Sequence, residues 1–309
     1  MIICIDEDYL ATIGQARASQ LYCDALQNGH YIDGKGRSLD LVREYVLAHA
    51  SSYQKELMKT CKATSLTGKL RKYLTKLTAA DFPYNELLNI LTKPSIILVE
   101  NSVNEGPVYD HLIQTYYRDP SFGSLYQKLK EARKSCRLEY ANGGGCGNFV
   151  GLLELANANN YKNISKYKYC TVIDRDANGP EYTLIQNRDN LFKLLSGKDK
   201  TTLQDDDIYT LEQPEYIWHM WYKREIENYF PDEHFQRIHS VDLAKWPTLP
   251  IDRNYKKLSE GTGFKKDKLK ELTTGMSREK YEKGVKVFQC QGISISELQL
   301  FLLKLVKLI

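Results

Sequence analysis

Ser95-Ile-Ile-Leu-Val-Glu100 follows Pro94 and ends in a carboxylate and a polar turn. Four consecutive aliphatic residues bounded by turn signals read as a strand buried on both faces. Working outward, Val108 to Tyr117 has helical spacing, and Arg137 to Tyr140 reads as a shorter strand. The Gly-rich turn Asn142-Gly-Gly-Gly-Cys-Gly-Asn148 then leads into a helix whose apolar face includes Phe149, Leu152, Leu153 and Ala156. Lys168-Tyr-Cys-Thr-Val-Ile173 is a further strand, closed by Asp174-Arg-Asp176 and the turn Ala177-Asn-Gly-Pro180. A helix over Tyr182 to Leu195 and a strand within Glu215 to Tyr222 complete the series, which runs into Lys223-Arg-Glu-Ile-Glu-Asn-Tyr-Phe230. Strands alternating with helices predict an α/β fold, with a mainly parallel sheet flanked by helices.

This unit spans residues 94–232. Residues 1–93 read as a mainly helical region after a short first strand, and residues 233–309 as a helical, basic C-terminal region. The first region contains a basic segment from Lys55 to Lys76, which suits a solvated helix face or a nucleic-acid or partner surface. The final helix begins with the capping pattern Ser294-x-x-Glu297 and carries Leu298, Phe301, Leu302, Leu305 and Leu308 on one face. That face must be buried in this chain or docked on a partner.

Composition excludes more than it selects. With 42% hydrophobic residues in 309, the chain can bury a sizeable core. A net charge of +4 permits nucleic-acid binding without singling it out. Seven scattered cysteines with no C-x-x-C pair support neither a disulfide framework nor a zinc ribbon, and suit a reducing cytoplasm. No stretch reaches the roughly 20 apolar residues of a membrane span, and the apolar run Ile2 to Ile5 is too short for a signal-peptide core.

In open α/β sheets, sites form where loops converge beyond the carboxyl ends of the strands. Glu100, Asp174 and Asp176 all lie there. An acidic residue after a strand also serves as a helix cap or turn former, but three on neighbouring strands would repel one another without a cation among them. Oxygen-only ligands suit Mg²⁺ or Mn²⁺ and argue against zinc. A pair of such ions can generate hydroxide and stabilise both the attacking and leaving oxygens of a phosphoryl displacement. The loop Gly143 to Gly147 could approach a phosphate or simply make a tight, closely packed turn. It is neither a dinucleotide fingerprint nor an ATP-binding P-loop, so an ATPase would be a separate subunit. Lys265, Lys266, Lys268 and Lys270 form a dense basic patch suited to phosphates or to solvent. Tyr161, Tyr167 and Tyr169, set among lysines, could stack bases or pack.

The runs Ile96-Ile-Leu-Val-Glu100, Ile173-Asp-Arg-Asp176 and Arg224-Glu-Ile-Glu-Asn-Tyr229, with the Gly-rich loop between the first two, resemble the Toprim domain. They are most similar to Toprim nucleases of the overcoming-lysogenization-defect type, found in bacterial anti-phage systems. The resemblance covers roughly residues 94–230. It implies two bound Mg²⁺ or Mn²⁺ ions, with Glu100 as metal ligand and candidate general base and Asp174, Asp176 and Glu227 as further ligands. It departs from the family pattern at Asn101 and Asn104, where a Gly and an acidic residue are usual, so Glu105 either takes that acidic role through a longer turn or is a helix-start carboxylate. A downstream Lys that stabilises transition-state charge is also implied, as are a DNA or RNA substrate, tRNA included, and a separate ATPase sensor. Homo-oligomerisation is left open. Topoisomerases and primases share the fold but need additional domains that are not visible here; a non-catalytic adaptor on a Toprim-like fold is the alternative.

Overall fold

The computed structural model describes all residues except 35, 50, 53–54, 57–67, 178, 180–187, 239–240 and 248–249. It is a mixed α/β protein with two parallel sheets flanked by helices. The first sheet joins β1 (Ile2–Ile5), β2 (Tyr31–Gly34) and β3 (Lys76–Thr78) in the order β2-β1-β3. Helices α1 (Glu7–Ile13), α2 (Gln15–Gln27), α3 (Ser38–His49) and α4 (Tyr84–Thr92) accompany it. Helix-period spacing had passed over β2 and β3, because each is only three or four residues long and neither is a continuous apolar run. Alternation along β1 sends Met1, Ile3 and Ile5 into a core with these helices, while Ile2 and Cys4 face the opposite way.

That opposite face joins the core of the second sheet, in which β4 (Ser95–Val99), β5 (Leu138–Asn142), β6 (Tyr169–Ile173) and β7 (Ile217–Met220) run parallel in the order β5-β4-β6-β7. Every residue of β4 is buried, as a central strand requires. Helices α5 (Ser102–Tyr116) and α6 (Gly123–Lys134) carry the chain from β4 to β5 and pack on each other. On the return, α7 (Phe149–Ala158) leads to β6 and α8 (Asp189–Ser196) to β7, and these two touch. Of the helix expected over Tyr182–Leu195, residues 182–187 lie outside the described residues, and the remainder from Asp189 is α8.

The C-terminal stretch contains an antiparallel hairpin of β8 (Val287–Cys290) and β9 (Ile293–Ser296), followed by α9 (Glu297–Val306). The N-cap of α9 is Ser296, reciprocally bonded with Gln299, rather than Ser294, which belongs to β9. Pairing in the hairpin holds Ser294 extended and shifts the helix start by two residues. The apolar face of α9 is covered within the chain, against α5, α6 and β7. Its one buried cation, Lys304, donates to the carbonyls of Ile208 and Trp218. No described helix is long and apolar enough to cross a membrane.

Candidate active site

The acidic residues meet because β6 pairs with both β4 and β7 in parallel register. Glu100 directly follows β4 and Asp174 directly follows β6. The loop after β7 is tied to the loop after β6, since the Arg175 and Asp176 N–H groups both donate to the Arg224 carbonyl, at 2.8 and 3.3 Å. This brings Glu225 and Glu227 beside Asp174. Asp176 adopts a left-handed backbone (φ 54°), a conformation that Asp and Asn tolerate better than most residues and that turns the chain sharply after β6.

Lys266 lies at the centre of the cluster. Its Nζ is 3.1 Å from Asp174 Oδ2 and 3.6 Å from Glu227 Oε1. Burial disfavours its ammonium, but Asp174, Glu227, Glu225 and Glu105 together outweigh that and raise its pKa. Arg188, almost fully buried, donates to the Asp174 carbonyl and the Asp176 carboxylate and lies 3.5 Å from Glu100 Oε1. Glu105 is fixed by the Asn101 N–H at 2.9 Å and the Tyr109 hydroxyl at 2.8 Å. It is therefore a buried member of the cluster, and its first-turn position on α5 also suits the helix dipole.

Six carboxylates, from Glu100, Glu105, Asp174, Asp176, Glu225 and Glu227, thus gather around Lys266 and Arg188, with Arg224 beside Glu225. Burial first, and the Asp174 charge second, push Glu100 up to about 7 and Glu105 up to about 8. Burial likewise raises Asp174, Glu225 and Glu227. Glu100 Oε1, Glu225 Oε2 and Glu227 Oε2 are buried without a hydrogen-bond donor. Such a set is short of positive charge, and its donors are all oxygen, as Mg²⁺ or Mn²⁺ requires. Among the described residues, however, no three acidic, His or Cys side chains are grouped closely enough to hold one ion. Lys266 and Arg188 stand between them instead.

Comparison with known protein families, curated proteins and solved structures returns no match.

The basic patch divides. Lys266 enters the acidic cluster, Lys268 pairs with Glu271 at 2.8 Å on the surface, and Lys265 and Lys270 are exposed. The Gly-rich loop is a tight turn. A Cβ on Gly143 would meet the Phe149 ring at 2.0 Å, and Gly144 and Gly145 have φ of 62° and 105°. Burial pushes the Cys146 thiol of this loop up to about 12. Tyr161 and Tyr169 pack edge to face on each other, and Tyr167 on Phe82. Sequence reading missed Arg188 and Glu225. Glu225 was visible beside Glu227 in the same run, whereas nothing around Arg188 distinguishes it from a surface cation.

Proposed function

We propose that the chain is a divalent-metal-dependent phosphodiesterase, a Toprim-like nuclease acting on DNA or RNA. Working with a separate ATPase, it would serve as effector of an anti-phage or toxin-like system. The observation that carries the reading is the cluster of six carboxylates, at the carboxyl ends of three adjacent parallel strands, with Lys266 and Arg188 set among them. Glu100, Asp174, Asp176 and Glu227, with Glu105 and Glu225 behind them, would hold Mg²⁺ or Mn²⁺, which supplies hydroxide and charge stabilisation at the phosphate.

The chain's own residues have separable tasks. Glu100, at the end of β4 among these ligands, would serve as metal ligand and candidate general base. Lys266 and Arg188 are placed to meet the negative charge that builds on the phosphoryl oxygens. Glu105, pinned by Asn101 and Tyr109, orients the start of α5 beneath the site.

Cleavage of single- and double-stranded DNA and RNA, assayed across a Mg²⁺ and Mn²⁺ titration, tests this reading. Activity is expected with either ion and should vanish in EDTA; cleavage that survives full chelation would sink the metal mechanism. The partial neutralisation of the cluster by Lys266 and Arg188 favours a second reading, a non-catalytic adaptor on the same scaffold. Nucleic-acid or partner binding with no cleavage at any metal concentration would decide for it.

A further inference from the structure

A cavity of about 720 Å³ lies away from the acidic cluster. It is bordered by the first residues of three strands, Ile2 of β1, Lys76 of β3 and Ile217 of β7, whereas the acidic residues follow the last residues of β4, β6 and β7. Five cations from separate parts of the chain converge on it: Arg71, Lys72, Lys76, Lys166 and Lys307. Three carboxylates also line it. Asp33 pairs with Arg71 at 2.9 Å and Glu212 with Lys307 at 3.6 Å, and the third is Glu215. Lys72, Lys76 and Lys166 have no described carboxylate within ion-pair distance, so the cavity keeps an excess of positive charge.

Like charges gathered in a concave site raise the local potential and attract an anion. Lysine ammonium groups bind phosphate as point charges without demanding one geometry. The volume falls in the range of small-molecule sites, and the wall beside the cations is apolar or aromatic, with Pro214, Ile217 and Tyr167. The geometry points to a second ligand site in this cavity, one that takes a nucleoside polyphosphate, its phosphates among Lys72, Lys76 and Lys166 and its base against the Tyr167 side. A cavity of this volume suits one nucleotide better than a strand, which needs an extended groove along several phosphates. The site is independent of the acidic cluster and of any reaction there.

The test is binding of a fluorescent N-methylanthraniloyl ATP to the full chain in EDTA, followed by anisotropy, so that no divalent ion can bridge nucleotide and acidic cluster. Saturable binding is expected, competed by inorganic tripolyphosphate and weakened about tenfold or more in Lys76→Glu/Lys166→Glu. Both side chains are exposed, so the double variant should keep the parent melting temperature. If it does not, the single changes Lys76→Ala and Lys166→Ala serve, and at least one must weaken binding. No saturable binding, affinity unchanged in the variants, failure of tripolyphosphate to compete, or binding of an oligonucleotide of about ten nucleotides without binding of the mononucleotide would each overturn the proposal.

Discussion

Glu100 is the residue on which ligand and scaffold roles separate most cleanly. Its Oε1 is buried without a donor, so the carboxylate is not the hydrogen-bonded cap that an acidic residue after a strand often provides. Glu100→Gln keeps the shape and removes the charge. A folded protein is expected, with cleavage down by about a hundredfold or more and weaker Mn²⁺ binding measured by calorimetry. Asp176→Asn should behave alike, since Asn tolerates the same left-handed backbone; near-parental cleavage in a folded Glu100→Gln protein would remove the residue from the site. The raised carboxylate pKa values also make a stability prediction. Glu100 at about 7 and Glu105 at about 8 bind protons more tightly in the folded chain than at their ordinary value of 4.5. The stability they contribute is fully present below that ordinary value and is lost as pH rises through their folded values. The metal-free protein should therefore melt progressively lower between about pH 5 and pH 8, and Mn²⁺ should raise its melting temperature more at the upper end. A melting temperature that is flat or rising over this interval, or a Mn²⁺ effect equal at both ends, would show that the carboxylates are not frustrated in this way.

Among the elements, α9 braces the site from behind. Its first residue, Glu297, is fully buried, and its carboxylate accepts the Tyr222 N–H at 2.5 Å and the Tyr229 hydroxyl. His219 of β7 lies 3.3 Å away and is held neutral, burial lowering its pKa to about 4. Tyr222 and Tyr229 bracket the loop that carries Glu225 and Glu227. Glu297→Ala would leave the Tyr222 N–H and the Tyr229 hydroxyl buried without an acceptor, at a cost of about 2 to 4 kcal/mol, read from urea unfolding. An unchanged unfolding midpoint would mean that water or a neighbour replaces the carboxylate. This brace also marks how far the sequence could be read. Ser95–Val99 and Lys168–Ile173 were legible as buried strands because short runs of aliphatic, aromatic and β-branched residues bounded by turn signals leave little alternative, and their carboxyl-terminal acids came with them. Short strands such as Lys76–Thr78 have no periodicity to read. Long-range pairs such as Glu297 with Tyr229, or Lys266 with Asp174, depend on contacts between residues far apart in the chain, which no local pattern encodes. The same limit explains why Lys266 could not be told from Lys265, Lys268 and Lys270 before the fold was known.

At the level of the whole molecule, the N-terminal sheet and the larger sheet share apolar surface rather than meeting as separate lobes. Ile2, Cys4, Tyr73 and Leu74 belong to the same core as β4, β6 and α9, and the Thr75 hydroxyl donates to the Lys307 carbonyl at 2.7 Å. Residues 94–309 expressed alone should therefore be insoluble or expose enough apolar surface to bind a hydrophobic dye, checked by sedimentation and dye fluorescence. A soluble fragment with a sharp thermal transition would show that the larger sheet folds independently. The charge imbalance of the acidic cluster has one more consequence, for the order of events in the proposed reaction. A cluster in which carboxylates outnumber cations presents a repulsive field to any incoming polyanion, and that field weakens when further positive charge arrives. Substrate that reaches the chain first would be turned away from the mouth of the site. Encounters would become productive only after the ions have loaded, an obligatory sequence of addition that initial-rate kinetics would register as an ordered mechanism with metal as the leading reactant.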